Sequence, residues 1–93
     1  MLNPPQQKAF FAFYDSVHDH SVFDAKTSVL LALAGAMGLG CVPCMEYYLG
    51  EAEKAGISRE EIGAVQAIVM AVSAGRVNAQ FREAEKKVRH GND

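Results

Sequence analysis

The only two cysteines of this 93-residue chain lie three positions apart, in the segment Cys41-Val42-Pro43-Cys44. The segment follows a glycine-rich stretch and opens a run that predicts a helix, so both thiols are expected at a helix start. The free amides and positive dipole end of a helix N-terminus stabilise a thiolate, which is the reactive form of cysteine. A bridge over so short a loop removes little unfolded-chain entropy. The pair is therefore interpreted as a site of chemistry and not as a structural staple.

The composition predicts a single packed domain over residues 1–93. Apolar residues make up 49% of the chain and the formal net charge is −2, which is unlike a disordered tail or a nucleic-acid binder. No signal sequence is recognised, and no apolar stretch is expected to reach the length of a membrane span. We therefore expect a cytoplasmic protein without a membrane or nucleic-acid partner, in which the cysteines form a dithiol or a transient disulfide.

Helical spacing recurs along the whole chain, and no stretch shows sustained strand-like alternation. The sequence predicts an all-α fold of about five helices. The first begins at Pro4 and Pro5 and ends near His18, and the second has Asp24 as its cap and ends at residues 38–40. The third carries the cysteines from residue 42 to about 55. The fourth starts from the capping box of residues 58–61 and ends at Gly75, and a fifth covers about 77–89.

Two of the predicted helices are too apolar for a small monomer. Residues 28–39 and residues 62–74 contain no charged side chain. A helix that is apolar around most of its circumference has to be covered on more than one side, and a domain of this size buries only a limited share of its surface. We therefore expect a homo-oligomer.

Three segments in order, residues 24–27 (DAKT), 40–44 (GCVPC) and 55–62 (AGISREEI), resemble the carboxymuconolactone decarboxylase family, especially its alkylhydroperoxidase AhpD-like branch. The resemblance covers more than half of the chain. It implies a helical domain that assembles into dimers, trimers or hexamers. The activities it implies range from cofactor-free decarboxylation of a lactone to thiol-dependent peroxide reduction.

The chain departs from the peroxidase branch at two positions. That branch has a Glu twelve residues before the first cysteine and a His four residues after the second, and these residues form a proton relay with the cysteines. Here the two positions hold Val29 and Tyr48. Valine carries no proton, and tyrosine with its reference pKa near ~10 is a poor base at neutral pH, although its hydroxyl can donate a hydrogen bond to a thiolate. The resemblance therefore implies a redox-active cysteine pair in this chain but not the proton relay of the peroxidase branch.

The candidate catalytic residues are Cys41, Cys44 and Tyr48. Tyr48 lies one helical turn beyond Cys44, and Glu51 one turn later can orient its phenol, although Tyr48 is equally consistent with a core or interface aromatic. The dipole favours Cys41 as the attacking thiol, whereas the relay of the resembled branch acts from the Cys44 side, so both orders stay open. His18 and His20 could join the cysteines in a zinc set, but the spacing is unlike a compact zinc finger and no metal is predicted.

The favoured hypothesis is a thiol–disulfide oxidoreductase or weak alkylhydroperoxidase that needs no cofactor. Its partners would be a peroxide or disulfide substrate and an external thiol reductant. One alternative is a lyase that decarboxylates a small lactone, with Lys26, His18 or Arg76 as loose candidates for the base and the anion-binding residue. The other is a non-catalytic oligomeric protein that has lost the relay. The methionines Met37, Met45 and Met70 are predicted to fill the core.

Overall fold

A computed structural model describes residues 1–90 as four α-helices, and this part of the chain contains no strand. Helix α1 spans Pro4–Ser16, α2 spans Ala25–Leu39, α3 spans Val42–Lys54 and α4 spans Arg59–His90. The predicted all-α class is confirmed. Helix α1 ends two residues before the predicted His18, and the other starts agree with the predicted caps.

The predicted break at Gly75 is wrong, since α4 runs through it for 32 residues and replaces the fourth and fifth predicted helices. A glycine inside a helix costs about 1 kcal/mol relative to alanine, which weakens the helix but does not end it. A glycine typically ends a helix by taking a left-handed backbone, and the positive-φ glycines within residues 1–90 are Gly40 and Gly56. Gly40, with φ of 68°, ends α2, and Gly56, with φ of 71°, follows the end of α3.

Side-chain caps fix the starts of α2 and α4. The Asp24 carboxylate accepts a hydrogen bond of 2.7 Å from the Thr27 amide. Ser58 and Glu61 form the predicted capping box, in which each backbone amide donates to the other side chain at 3.1 Å. The hydrogen bonds from Ser58 lower the pKa of Glu61, so its carboxylate stays charged and lies 3.8 Å from the Lys26 ammonium of α2. This exposed ion pair links the start of α2 to the start of α4.

Helix α2 is the packing centre of the fold, because α3 and α4 both pack against it. The small core consists of Leu33 and Ala36 of α2, Ala52 of α3, and Ile57 in the turn before α4. Leu33 is fully buried. Within residues 1–90 the backbone of α1 packs against no other helix. Of the methionines predicted to fill the core, Met37 and Met45 are half-buried, whereas Met70 is 63% exposed.

The chain is much more open than a compact domain of its length. Its radius of gyration is 18.5 Å, whereas a compact domain of this length has about 12 Å. Its accessible surface is 7564 Å², whereas a folded monomer of this mass exposes roughly 5,300 Å². Large apolar side chains on α1 and α4 account for part of the excess, among them Phe10, Phe13, Ile68, Val72 and Phe81.

Helix α4 departs from the expectation that no apolar stretch reaches membrane-spanning length. Within the described residues it is the one helix that is long and apolar enough to cross a bilayer, and its most apolar window has a mean hydropathy of 1.3 and is 0% buried. The core helix of a soluble protein passes the same test of length and composition.

The continuity of α4 predicts opposite effects for two glycine substitutions. Gly75→Ala should raise the free energy of unfolding by about 0.5–1 kcal/mol, because the site is helical and a Cβ there meets no atom within 4 Å. Gly56→Ala should lower it by about 1–2 kcal/mol, because residue 56 needs a left-handed backbone. Chemical denaturation of both variants checks this. A destabilised Gly75→Ala would indicate a break in α4.

Candidate active site

The two cysteines lie at the corner where α2 ends and α3 begins, and a disulfide joins them. Cys41 is the N-cap of α3 and Pro43 lies in the first turn, where a missing amide hydrogen is tolerated. The Cα atoms of Cys41 and Cys44 are 5.2 Å apart. Both residues are half-buried. The structure therefore brings the two predicted thiols together.

Backbone hydrogen bonds hold this corner from both sides. The left-handed Gly40 turns the chain, and the Cys41 amide then donates to the Ala36 carbonyl of α2 at 3.0 Å. The Cys41 carbonyl accepts from the Met45 amide at 2.9 Å, which is the first bond of α3. These bonds lie in the backbone, so they anchor Cys41 without using its sulfur atom.

The electrostatics of the corner favour a negative charge on the first sulfur. The Cys44 amide donates a hydrogen bond of 3.3 Å to Cys41 Sγ. Free amides and the positive dipole end of a helix stabilise a thiolate in this position. The arrangement can therefore stabilise a thiolate at Cys41 and place the second sulfur within bonding reach of it.

A cavity of about 480 Å³ lies between the end of α1, the α1–α2 loop, α2 and α3. It begins one turn beyond Cys44, and neither cysteine lines it. Its apolar wall includes Val17, Phe23, Val29 and Leu31, and its polar wall includes His18, His20, Tyr48, Glu51 and Lys54. Val29 and Tyr48 thus share one cavity although they are nineteen residues apart in sequence.

Tyr48 belongs to an aromatic cluster and is not placed as a base for the cysteine thiols. A hydrogen bond with the Tyr14 side chain, together with burial, raises the pKa of Tyr48 to about 12. Its ring meets the Tyr47 ring edge-on at 5.0 Å between centroids. Tyr14 also stacks obliquely on His18 at 5.3 Å. At neutral pH Tyr48 is protonated, so it can donate a hydrogen bond but cannot accept a proton.

The structure separates the other candidate residues. Glu51 lines the cavity, but its carboxylate lies 3.4 Å from the Lys54 ammonium of the same helix. Of the three residues considered for lactone decarboxylation, His18 lines this cavity and Lys26 pairs with Glu61, whereas Arg76 lines a different cavity between α2 and α4. Within residues 1–90, no three His, Cys, Asp or Glu side chains lie close enough to hold a metal ion.

Sequence reasoning missed Tyr14, Tyr47 and Phe23, which build the aromatic part of the site. The i,i+4 spacing of Tyr14 and His18 was a usable signal, since it places both rings on one face of α1. Nothing in the sequence indicated that Tyr14 would reach α3, because that contact depends on the loop between α1 and α2.

Comparison with known proteins gives one match. The family model described as the carboxymuconolactone decarboxylase family matches residues 4–86, which is most of the chain. No curated protein matches, and no solved structure matches. The family match includes the cysteine corner and the residues that line the cavity.

The contact between Tyr14 and Tyr48 predicts a particular alkaline transition. With the folded pKa of Tyr48 raised to about 12, the contribution of Tyr48 to stability is intact below the unfolded pKa of about 10. This contribution is lost as pH rises from the unfolded pKa through the folded pKa. Tyr14→Phe should lower the Tyr48 pKa, and Tyr47→Phe should leave most of the shift. Phenolate absorbance against pH measures both, and equal effects would contradict the assigned contact.

Proposed function

Because the chain belongs to the carboxymuconolactone decarboxylase family, we propose that it acts as a thiol–disulfide oxidoreductase with weak alkylhydroperoxidase activity, centred on Cys41 and Cys44. The observation that carries the proposal is the disulfide between these residues at the start of α3. The half-buried sulfurs and the amide directed at Cys41 Sγ support it. The proposal includes a cytoplasmic setting, in which a dithiol reductant returns the pair to its reduced state.

In the peroxidase reaction, the Cys41 thiolate attacks one oxygen of a hydroperoxide and breaks the O–O bond. The sulfur becomes a sulfenic acid, and the departing alkoxide takes a proton to leave as an alcohol. The Cys44 thiolate then attacks the sulfenic sulfur, water leaves, and the disulfide closes. An external dithiol supplies two electrons and two protons and resets the pair. With a disulfide substrate, the first step gives a mixed disulfide and releases a thiol.

Cys41 is the better candidate for the attacking thiol. It is the N-cap of α3, and its sulfur accepts the Cys44 amide hydrogen bond. Cys44 lies within the first turn and has to reach only the neighbouring sulfur to resolve the intermediate. This order follows the local electrostatics of the helix start.

The weak peroxidase activity follows from the residues that line the cavity. Val29 cannot carry a proton, and Tyr48 is held protonated by its surroundings. Neither side chain can deprotonate a thiol at neutral pH, so the base of the relay is missing. A thiolate formed without a base can still exchange with a disulfide, so disulfide substrates are favoured over peroxides.

Redox activity of the pair predicts a reversible two-electron transition in thiol–disulfide buffers. Cys41→Ser and Cys44→Ser should each abolish the transition, because a disulfide needs both sulfurs. With a disulfide substrate, Cys44→Ser should trap a mixed disulfide at Cys41, and Cys41→Ser should trap far less. Mass spectrometry of the trapped adducts measures the difference. Wild-type thiols that react with an alkylating agent only after denaturation would refute the proposal and favour a non-catalytic family member.

Restoring the relay predicts a gain in peroxide turnover. The double variant Val29→Glu with Tyr48→His should reduce an alkyl hydroperoxide about 10²–10⁴-fold faster, since general acid–base groups contribute this much. Leu31→Glu with Tyr47→His changes the same residue classes in the same cavity and serves as the matched control. No gain in a folded double variant would contradict the matching of these positions to the family relay.

A further inference from the structure

Three of the four methionines of the chain line a single cavity. Met37 belongs to α2, Met45 to α3 and Met70 to α4, so each of the three packed helices contributes one thioether side chain. The cavity has a volume of about 490 Å³ and shares no lining residue with the cavity that holds Val29 and Tyr48. The fold therefore brings three thioether sulfurs, which are distant in sequence, to one place.

The other side chains of this cavity offer few competing ligands. They are Gln66, Val69 and Ser73 of α4. Within residues 1–90, the lining of the cavity contains no carboxylate, imidazole, thiol, ammonium or guanidinium group. Magnesium and calcium ions prefer charged oxygen ligands, and zinc prefers thiolate, imidazole and carboxylate. Thioether sulfur is a soft ligand that selects Cu(I), so the donor set of the cavity suits this ion.

The three methionines do not act only as filler between the helices. Met37 and Met45 are half-buried, and Met70 is 63% exposed. A methionine that fills a core closes the gap around its side chain, because protein interiors are close-packed. Here the three side chains border about 490 Å³ of free volume. This volume gives their sulfurs room to move toward one another.

The flexibility of methionine allows the three sulfurs to meet on one ion. Each side chain is unbranched and has three rotatable bonds. Met37 and Met45 approach the cavity from its half-buried side, and Met70 approaches it from the solvent side. Rotation of these side chains into the free volume can therefore surround a small cation from three directions.

We propose that Met37, Met45 and Met70 bind one Cu(I) ion through their thioether sulfurs. Three neutral ligands leave the ion with its single positive charge, and the exposed side of Met70 lets water reach this charge. Because an isolated charge is costly to remove from water, a divalent ion without an anionic ligand is disfavoured in the same cavity. The proposal does not rest on the redox activity of the cysteines, since neither of them lines this cavity.

Competing ligands in the same chain decide the design of the test. Cysteine thiolates also bind Cu(I), and Met45 directly follows Cys44. The titration therefore uses the full chain with Cys41→Ser and Cys44→Ser, from which both thiols have been removed. The three histidines remain in this variant and are distinguished by pH, because imidazole loses its affinity for a metal on protonation near pH ~6.5 whereas thioether does not titrate in this range.

Anaerobic titration of this variant with Cu(I), in competition with a chromophoric Cu(I) chelator, should show one ion bound per chain. Met37→Leu, Met45→Leu and Met70→Leu should each weaken binding about tenfold or more, since even the loss of an outer-shell partner costs about 10–100-fold in metal affinity. Leucine nearly conserves the volume of methionine. Gln66→Leu is the matched control, because it introduces leucine into the same lining and removes no sulfur. Far-UV circular dichroism checks that every variant stays helical.

Nuclear magnetic resonance of isotope-labelled methionine methyl groups identifies the ligands directly. Cu(I) should shift the methyl signals of Met37, Met45 and Met70, whereas the signal of the fully exposed Met1 should stay in place. Zinc ions at the same concentration should leave all four signals unchanged, because zinc does not favour thioether ligands. The Cu(I) affinity should be the same at neutral pH and at about pH 5, since thioether sulfur carries no proton to lose.

Any of four results would overturn the proposal. They are the absence of Cu(I) binding, an affinity that the three methionine variants leave unchanged, an equal loss in the Gln66→Leu control, and an affinity that falls on acidification as histidine ligands require. The redox transition of the wild-type cysteines is measured separately and without copper. A failed copper site and a failed redox function are therefore distinguishable.

Discussion

The burial of one face of α2 is the interaction on which the rest of the structure depends. Both α3 and α4 pack against α2, and the fully buried Leu33 lies at the centre of this contact together with Ala36. Truncation of a buried leucine to alanine typically costs about 2–5 kcal/mol. In a core of so few residues such a loss would release α3 and α4 together. Helix α2 forms one side of both the cysteine corner and the cavity, so the geometry of the site depends on this contact.

The site divides into two parts with different physical origins. The cysteine corner is built by the backbone: Gly40 turns the chain, and amide groups satisfy the Ala36 carbonyl and Cys41 Sγ. The cavity is built by side chains from three helices and one loop, and its acid–base character depends on Tyr14 and Tyr48. Family membership is consistent with retention of the first part, whereas in the second part Val29 and Tyr48 hold the relay positions and cannot act as bases at neutral pH.

Local signals in the sequence were sufficient for the starts of α2, α3 and α4 and for the cysteine corner. Caps at Asp24 and Ser58 and the left-handed Gly40 and Gly56 were predictable, because each acts through residues within one helical turn. Gly75 was misjudged because a glycine ends a helix in this way only when the chain turns left-handed there, and neither a proline nor a capping box follows Gly75 as they follow Gly40 and Gly56. The cavity was beyond sequence reasoning, since the approach of Tyr14 to Tyr48 depends on how a loop places α1.

The way Cys41 is anchored has a consequence for the speed of a redox cycle. Its amide donates a hydrogen bond to the Ala36 carbonyl, and its carbonyl accepts the first hydrogen bond of α3. Closing or opening the bond between the sulfurs therefore requires rotation of two short side chains and leaves the helices in place. We therefore expect the reorganisation energy of each half of the proposed redox cycle to be small. A corner anchored in this way suits the proposed exchange of electrons between partners better than a sensor that reports its oxidation state through a change of shape.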